Sequence, residues 1–248
     1  LLASSAASDV YKRQLVHRAS KLTNLFIFKG QEATLPLIKA LHPNIIVNST
    51  GSNPLLPPIK GLHDHIDKEG SKVASITGMI NHLADYPEDC TGKKVVVVGG
   101  GNVAIDASRV SSRNKTSQVQ QFCLEQEVDM PASNEEIAEA REDGVTIHCG
   151  WGPQEIIETN GKVSAIVFKK CVSVFNDEGK FAPVYDENTT VTVDCERVIF
   201  AIGQRSVWGD LLKGEDVKFN GPAIELNKVT FQSSVEDIFA GGDVYTGP

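Results

Sequence analysis

Two hydrophobic rhythms alternate along the chain, and the sharpest change of rhythm falls between Val95 and Ser112. Val95, Val96, Val97 and Val98 form an unbroken apolar run, the pattern of a strand buried on both faces of a parallel sheet. The run breaks at Gly99-Gly100-Gly101-Asn102-Val103-Ala104, and a helical pattern follows from Val103 to about Ser112. A second buried strand is expected over Val119 to Leu124, and a third over Val145 to Cys149. Between them Ser133 and Glu136 have the spacing of a capping box for a helix over Asn134 to Glu142.

Elsewhere the pattern is shorter in range. Leu25 to Phe28 and Asn44 to Asn48 read as short strands, and Thr34 to Leu41 and Ser75 to Leu83 as helices. Tyr86 to Gly92 reads as a link. Glu155 to Glu158, Val163 to Phe175 and Thr189 to Asp194 form a meander with turns at Asn160-Gly161 and Asp177-Glu178-Gly179, the Asn-Gly pair being a strong hairpin signal. Val198 to Ile202 returns as a parallel-type strand. Gly221 to Val229 reads as strand and turn, and an apolar strand from Asp237 runs into Gly241-Gly242-Asp243. The fold class is α/β, with residues 71–203 forming one Rossmann-like βαβ domain that carries an antiparallel insertion.

The break at Gly99 carries the chemistry. It matches G-x-G-x-x-A, in which Gly99 allows the tight turn, Gly101 lets the backbone approach a pyrophosphate, and Ala104 lets helix and strand pack closely. Phosphates would sit over free N–H groups at the helix N-terminus, where the dipole favours negative charge. Glu125 lies about 20 residues beyond Ala104, where an acidic side chain binds a ribose 2′-hydroxyl. It reads equally as an exposed glutamate of the acidic stretch Glu125, Glu127, Asp129. No arginine directly follows this strand, which favours NAD(H) over NADP(H). Arg109, Arg113 and Lys115 read as a solvated helix face.

Composition narrows the partners. The 248 residues, 41% hydrophobic and 23% charged, are enough for one or two globular domains. A net charge of −8 and no run of Lys or Arg argue against nucleic acid as a partner. No stretch reaches the ~18 apolar residues of a membrane span. The five cysteines are scattered with no C-x-x-C, which fits reduced thiols in the cytoplasm and offers no metal site. Asp9-Val10-Tyr11-Lys12-Arg13-Gln14 resembles the in-frame translation of a sequencing-library transposon end. Residues 1–14 are therefore expected to be a non-native leader, and the natural chain is expected to start upstream.

Gly99 to Asp106, Met130 to Ser133, Ala201 to Gln204 (AIGQ) and Phe239 to Pro248 (FAGGDVYTGP) together resemble the two-dinucleotide-binding flavoprotein reductases, most of all the glutamate-synthase small-subunit type. Glu32 to Leu62 is more similar to the reductase half of enoate and dienoyl-CoA reductases. The resemblance implies an NAD(P)H-binding domain at 71–203, inserted into a partial FAD-binding domain formed by 15–70 and 204–248. By this resemblance Thr50 and Gly51 lie along the FAD, Asp243 hydrogen-bonds its ribityl chain with Gly242 beside it in the FAD site, and Val244 sits near the flavin ring. Gly99, Gly100, Gly101, Asn102, Val103, Ala104 and Asp106 would border the nicotinamide nucleotide, flanked by Ala201, Ile202 and Gly203. No side-chain catalyst and no metal are implied. The family's FAD-phosphate glycine motif is absent from this chain, so the chain is expected to be a fragment, inactive alone.

Implied cofactors are FAD and NAD(H), the latter favoured over NADP(H). The implied partner is an electron-acceptor domain or subunit, iron–sulfur or flavin, outside this chain. The expected activity is hydride transfer from NADH or NADPH to FAD. The alternatives are the reductase half of an ene-reductase and, in another class, a non-catalytic NAD(H)-binding module.

Overall fold

The structure, a computed structural model, describes residues 13–206, 211–212, 214–220 and 223–246. Of the leader expected over 1–14, residues 1–12 lie outside this set, as do residues 221 and 222 of the strand expected from Gly221. After a helix over 13–19, the elements in chain order are α1 (Leu35–Ala40), β1 (Ile46–Asn48), β2 (Ser52–Pro54), α2 (Leu62–His65), β3 (Val73–Ser75), α3 (Ile76–Asn81) and α4 (Tyr86–Cys90). Then come β4 (Lys94–Val98), α5 (Asn102–Arg113), β5 (Gln118–Cys123), α6 (Asn134–Glu142), β6 (Thr146–Cys149), β7 (Trp151–Thr159), β8 (Lys162–Phe175) and β9 (Phe181–Asp194). The chain closes with β10 (Arg197–Phe200), β11 (Gln204–Ser206), β12 (Phe219–Asn220), β13 (Ala223–Ile224), β14 (Ile238–Ala240) and α7 (Asp243–Thr246). By internal contacts the chain divides into one unit of Leu1–Ser49 with Trp208–Gly241 and another of Thr50–Val207 with Gly242–Pro248.

In the larger unit, five parallel strands run in the order β3-β10-β4-β5-β6. The valine run decides what lies on each face. Val95 and Val97 point into a core with Ile105, Ile137 and Met79 from α5, α6 and α3. Val96 and Val98 point the other way, into a core with Phe122, Ile166, Phe168 and Phe200. That second face is covered by the antiparallel meander β7-β8-β9 rather than by helices. At its centre Phe122 stacks on His148 at 4.4 Å and on Phe168 at 4.0 Å. Burial lowers the pKa of His148.

β8 runs as the sequence pattern indicates, whereas β7 starts four residues earlier and β9 eight residues earlier, the added part of β9 being mostly exposed and without apolar alternation. The Asn160-Gly161 turn takes positive φ at both residues, 54° and 75°, which suits a two-residue hairpin. Two expected elements differ. Tyr86 opens a helix and is fully buried, its hydroxyl 2.6 Å from Ser111 Oγ and its ring under the Arg197 guanidinium. Ser75 belongs to β3 and caps α3, its hydroxyl accepting from the Gly78 N–H at 3.0 Å.

In the smaller unit β1 and β14 pair in parallel, Ile46 with Ile238 through Asn48 with Ala240. The strand expected over Leu25 to Phe28 is absent, and all four residues are exposed, Phe26 at 79%. An apolar run becomes a strand only where a neighbour completes its hydrogen bonds. Among the described residues β1 pairs with β14 alone, and 25–28 pairs with neither.

Helices α5 and α6 are held together by charge. Arg109 and Arg113 both bond Asp143 Oδ2, at 2.8 and 2.9 Å, and Arg109 also pairs with Glu139. These arginines form a helix-to-helix network, not a merely solvated face. The Arg109 hydrogen bond holds the Asp143 carboxyl below the usual carboxylate range. A depressed native value stabilises the fold above the unfolded pKa of ~3.9, and the contribution disappears as pH falls through the lower native value. Asp143→Asn should therefore flatten the acid side of the stability profile below about pH 4, read by denaturant unfolding at several pH values. Phe168→Ala should cost the larger unit about 3–5 kcal/mol, measured as a lower denaturation midpoint, because the stacked core at Phe122 has nothing to refill it.

Candidate nucleotide-binding site

The three consecutive glycines serve three different geometric needs. Gly99 has φ +146°, and a Cβ there would lie 2.2 Å from the Ala201 carbonyl oxygen and 3.1 Å from Ala104 Cβ. Its N–H donates to Phe122 O at 2.8 Å, and its carbonyl accepts from Gln121 Nε2 at 3.0 Å. A Cβ on Gly100 would meet Glu125 Oε2 at 2.7 Å and Cys123 Cβ at 3.1 Å. Gly101 is extended, with φ −90° and ψ 173°, and a Cβ on it would meet nothing within 4 Å. Gly101 is also the N-cap of α5, with no side chain capping the helix. Asn102 and Val103, which open the helix, are exposed beside a residue without a side chain, an arrangement that suits an anion site.

Glu125 is brought to this turn, its carboxylate over Gly100. The loop Met130–Ser133 docks on the same turn: Ala132 N–H donates to Gly100 O at 3.1 Å, and Ser133 N–H to Asn102 Oδ1 at 2.9 Å. Ser133 Oγ accepts from Glu136 N–H at 3.3 Å, so only half of the expected capping box forms. The reciprocal half is lost because Asn102 has taken the Ser133 N–H. Ala104 is fully buried against the sheet, whereas Val103 is half exposed. Asp106 lies one turn further along α5, half-buried, and burial raises its carboxyl pKa.

Ala201, Ile202 and Gly203 connect this turn to a second cluster. Ala201 N–H donates to Val98 O at 2.8 Å, and Gly203, at φ +100°, accepts from Leu55 N–H at 2.9 Å. From there β11 pairs antiparallel with β2, Ser206 opposite Ser52 and Gln204 opposite Pro54. Ser52 Oγ donates to Gln204 Oε1 at 2.6 Å, and Ser206 Oγ to the Asp243 carbonyl at 3.1 Å. Gly51 and Gly242 both take positive φ, 74° and 73°. Thr50 and Asp243 are exposed, and Val244 is fully buried. Thr50-Gly51, Gly203-Gln204 and Gly242-Asp243 therefore belong to one neighbourhood, next to Ala201 on Gly99.

Sequence reasoning passed over Gln121. Its amide is fully buried, donating to Gly99 O and accepting from Ser108 Oγ at 2.8 Å. β5 reads Gln-Val-Gln-Gln-Phe-Cys, and nothing in that run sets Gln121 apart from Gln118 or Gln120. The five cysteines are free thiols, though β5 and β6 set Cys123 opposite Cys149. Burial pushes the Cys195 thiol up to about 12 and raises Cys123, Cys149 and Cys171, the opposite of activation. Among the described residues no group of His, Cys, Asp or Glu could hold a metal, and no helix is long and apolar enough to cross a membrane.

This geometry has counterparts in known proteins. The family described as pyridine nucleotide-disulphide oxidoreductase matches residues 38–248. The chain is 32% identical over 160 residues to the NADP(+)-dependent formate dehydrogenase subunit beta of Moorella thermoacetica, covering 63% of this chain and 22% of that protein. It is 29% identical over 193 residues to the glutamate synthase [NADPH] small chain of Halomonas elongata, covering 76% of this chain and 41% of the relative. The chain thus spans less than half the length of these relatives. Among solved structures, thioredoxin reductase of T. acidophilum overlays with a TM-score of 0.62 at 20% identity, covering 82% of this chain and 58% of that one. FprA of Mycobacterium tuberculosis, in complex with NADPH, gives 0.62 at 16% identity, covering 88% and 62%. The fold is the α/β fold of these reductases, and with the match spanning most of its length, the chain belongs to the pyridine nucleotide-disulphide oxidoreductase family.

Proposed function

We propose that this chain carries the nicotinamide-nucleotide half, and part of the flavin half, of a reductase that oxidises NADH or NADPH. In this reading residues 71–203 bind the nicotinamide nucleotide, and 15–70 with 204–248 contribute to the flavin domain. The observation that carries it is the uncapped start of α5 at Gly101, open to solvent, with Glu125 beside it over Gly100. The N–H groups at Asn102 and Val103 bind the pyrophosphate. Glu125 accepts from the ribose hydroxyls and so favours NADH. Ala201, Ile202 and Gly203 flank the nucleotide, and Asn102 and Asp106 border its nicotinamide end.

Thr50, Gly51, Gly242, Asp243 and Val244 form the flavin-facing cluster. FAD supplies the hydride-accepting chemistry when bound. The protein's part is to bind and orient, and no side-chain acid or base is required. Electrons pass on to an iron–sulfur or flavin domain or subunit outside this chain. Relatives bearing the names "small chain" and "subunit beta" support that division of labour, and their NADP(H) names keep NADPH in play. The chain alone would bind nucleotide but turn over poorly, since it carries no FAD-phosphate glycine motif of its own.

Titration with NADH and NADPH, followed by fluorescence or calorimetry, tests this reading. Gly101→Val should abolish binding while lowering stability by only about 1 kcal/mol, the usual cost of a poor N-cap residue, because a Cβ there meets nothing within 4 Å. Absence of binding in a folded wild-type sample, or full binding by the variant, would overturn the proposal. Gly99→Ala should instead lose more than ~2 kcal/mol of stability through its clash with the Ala201 carbonyl.

A further inference from the structure

Gly150 lies where the chain leaves the parallel sheet at β6 and enters the meander at β7, with φ +75°. Its N–H donates to the Glu125 carbonyl at 2.8 Å, and its own carbonyl accepts from Cys171 N–H at 2.8 Å. A Cβ at Gly150 would fall 2.9 Å from Lys170 Nζ and 2.7 Å from Gln126 Nε2. The tips of Lys170 and Gln126 therefore converge on one point, beside the backbone of the residue that reaches Gly100.

The two adjacent lysines of β8 have different fates. Lys169 is ion-paired with Glu187 at 2.8 Å and lies over Tyr185. Lys170 is half-buried, with Nζ 4.9 Å from the Trp151 ring centroid, and among the described residues it forms no ion pair. Glu125 forms none either, so the two charges do not cancel each other. In a chain of net charge −8, a cation held over an aromatic ring without a carboxylate partner is available for an anionic ligand.

We infer that Lys170 and Gln126 form a subsite for the 2′-phosphate of an adenine dinucleotide, an inference that rests on the nucleotide site proposed above. A 2′-phosphate would be repelled by Glu125 alone. Lys170 opposes that repulsion with a full charge, and the Gln126 amide adds a hydrogen-bond donor. The site then accepts NADPH alongside NADH, although no basic residue directly follows β5 in sequence. The cation arrives from the meander, 45 residues further along the chain by residue number (170 against 125).

The test uses two probes that differ only in the 2′-phosphate: adenosine 5′-monophosphate and adenosine 2′,5′-bisphosphate, titrated calorimetrically into the whole chain. Lys170→Met keeps the aliphatic stem over Trp151 and removes the charge. It should weaken the bisphosphate about tenfold, the low end of a charge-assisted hydrogen bond, and leave the monophosphate within about twofold. Lys170→Arg should retain bisphosphate binding. Raising salt should weaken wild-type binding of the bisphosphate more than that of the monophosphate, and the Lys170→Met variant should show less of that difference. Equal effects of Lys170→Met on both probes, or none on either, would overturn the subsite while leaving the nucleotide site standing. Failure of both probes to bind folded wild-type protein would remove the nucleotide site and the subsite with it.

Discussion

The backbone of Gly99 presses against the carbonyl of Ala201, and the rest of the site is built on that approach. Strands β4 and β10 are parallel neighbours in register, Val98 opposite Phe200, so both chains turn away at the same level. The space between them admits no Cβ at Gly99. Because the turn is that tight, α5 starts directly at the sheet edge, and its uncapped N-terminus is left pointing outward. Gln121, buried beneath, holds the Gly99 carbonyl in place.

The sheet beneath the turn solves its two-sided burial asymmetrically. Helices cover the face of Val95 and Val97, and the meander covers the face of Val96 and Val98. The stack of His148, Phe122 and Phe168 ties sheet to meander at the end where Glu125 leaves β5. The meander is thus part of the site's foundation as well as its cover. Through Gly150 it also sets a lysine next to the loop that carries Glu125 and Gln126.

Charge is arranged by the same packing. Arg109 and Arg113 are consumed by Glu139 and Asp143, Lys169 by Glu187, and Arg141 by Glu127. Several basic residues that sequence alone leaves free for a ligand are therefore neutralised. These pairs are worth little individually at an exposed surface, but they decide which cations remain to attract an anion. A cation's neighbours matter more than its position in the chain.

What the sequence determined was local. The valine run, the glycine turn, the helix after it and the Asn160-Gly161 hairpin were legible because each depends on the intrinsic conformational preferences of adjacent residues. The reductase resemblance was legible because its four motifs follow one another in order. Tertiary structure decided what required a partner distant in sequence. Leu25 to Phe28 has strand composition but pairs with no strand. Ser133 and Glu136 have capping-box spacing, yet Asn102 takes the N–H that would close the box. Glu125 had no assigned neighbour until β5 ended beside Gly100, and Lys170 had no mark at all until β7 and β8 folded it over Trp151. Backbone preference acts between neighbours in the chain, whereas hydrogen-bond completion and charge pairing act between neighbours in space, and only the fold makes those neighbours.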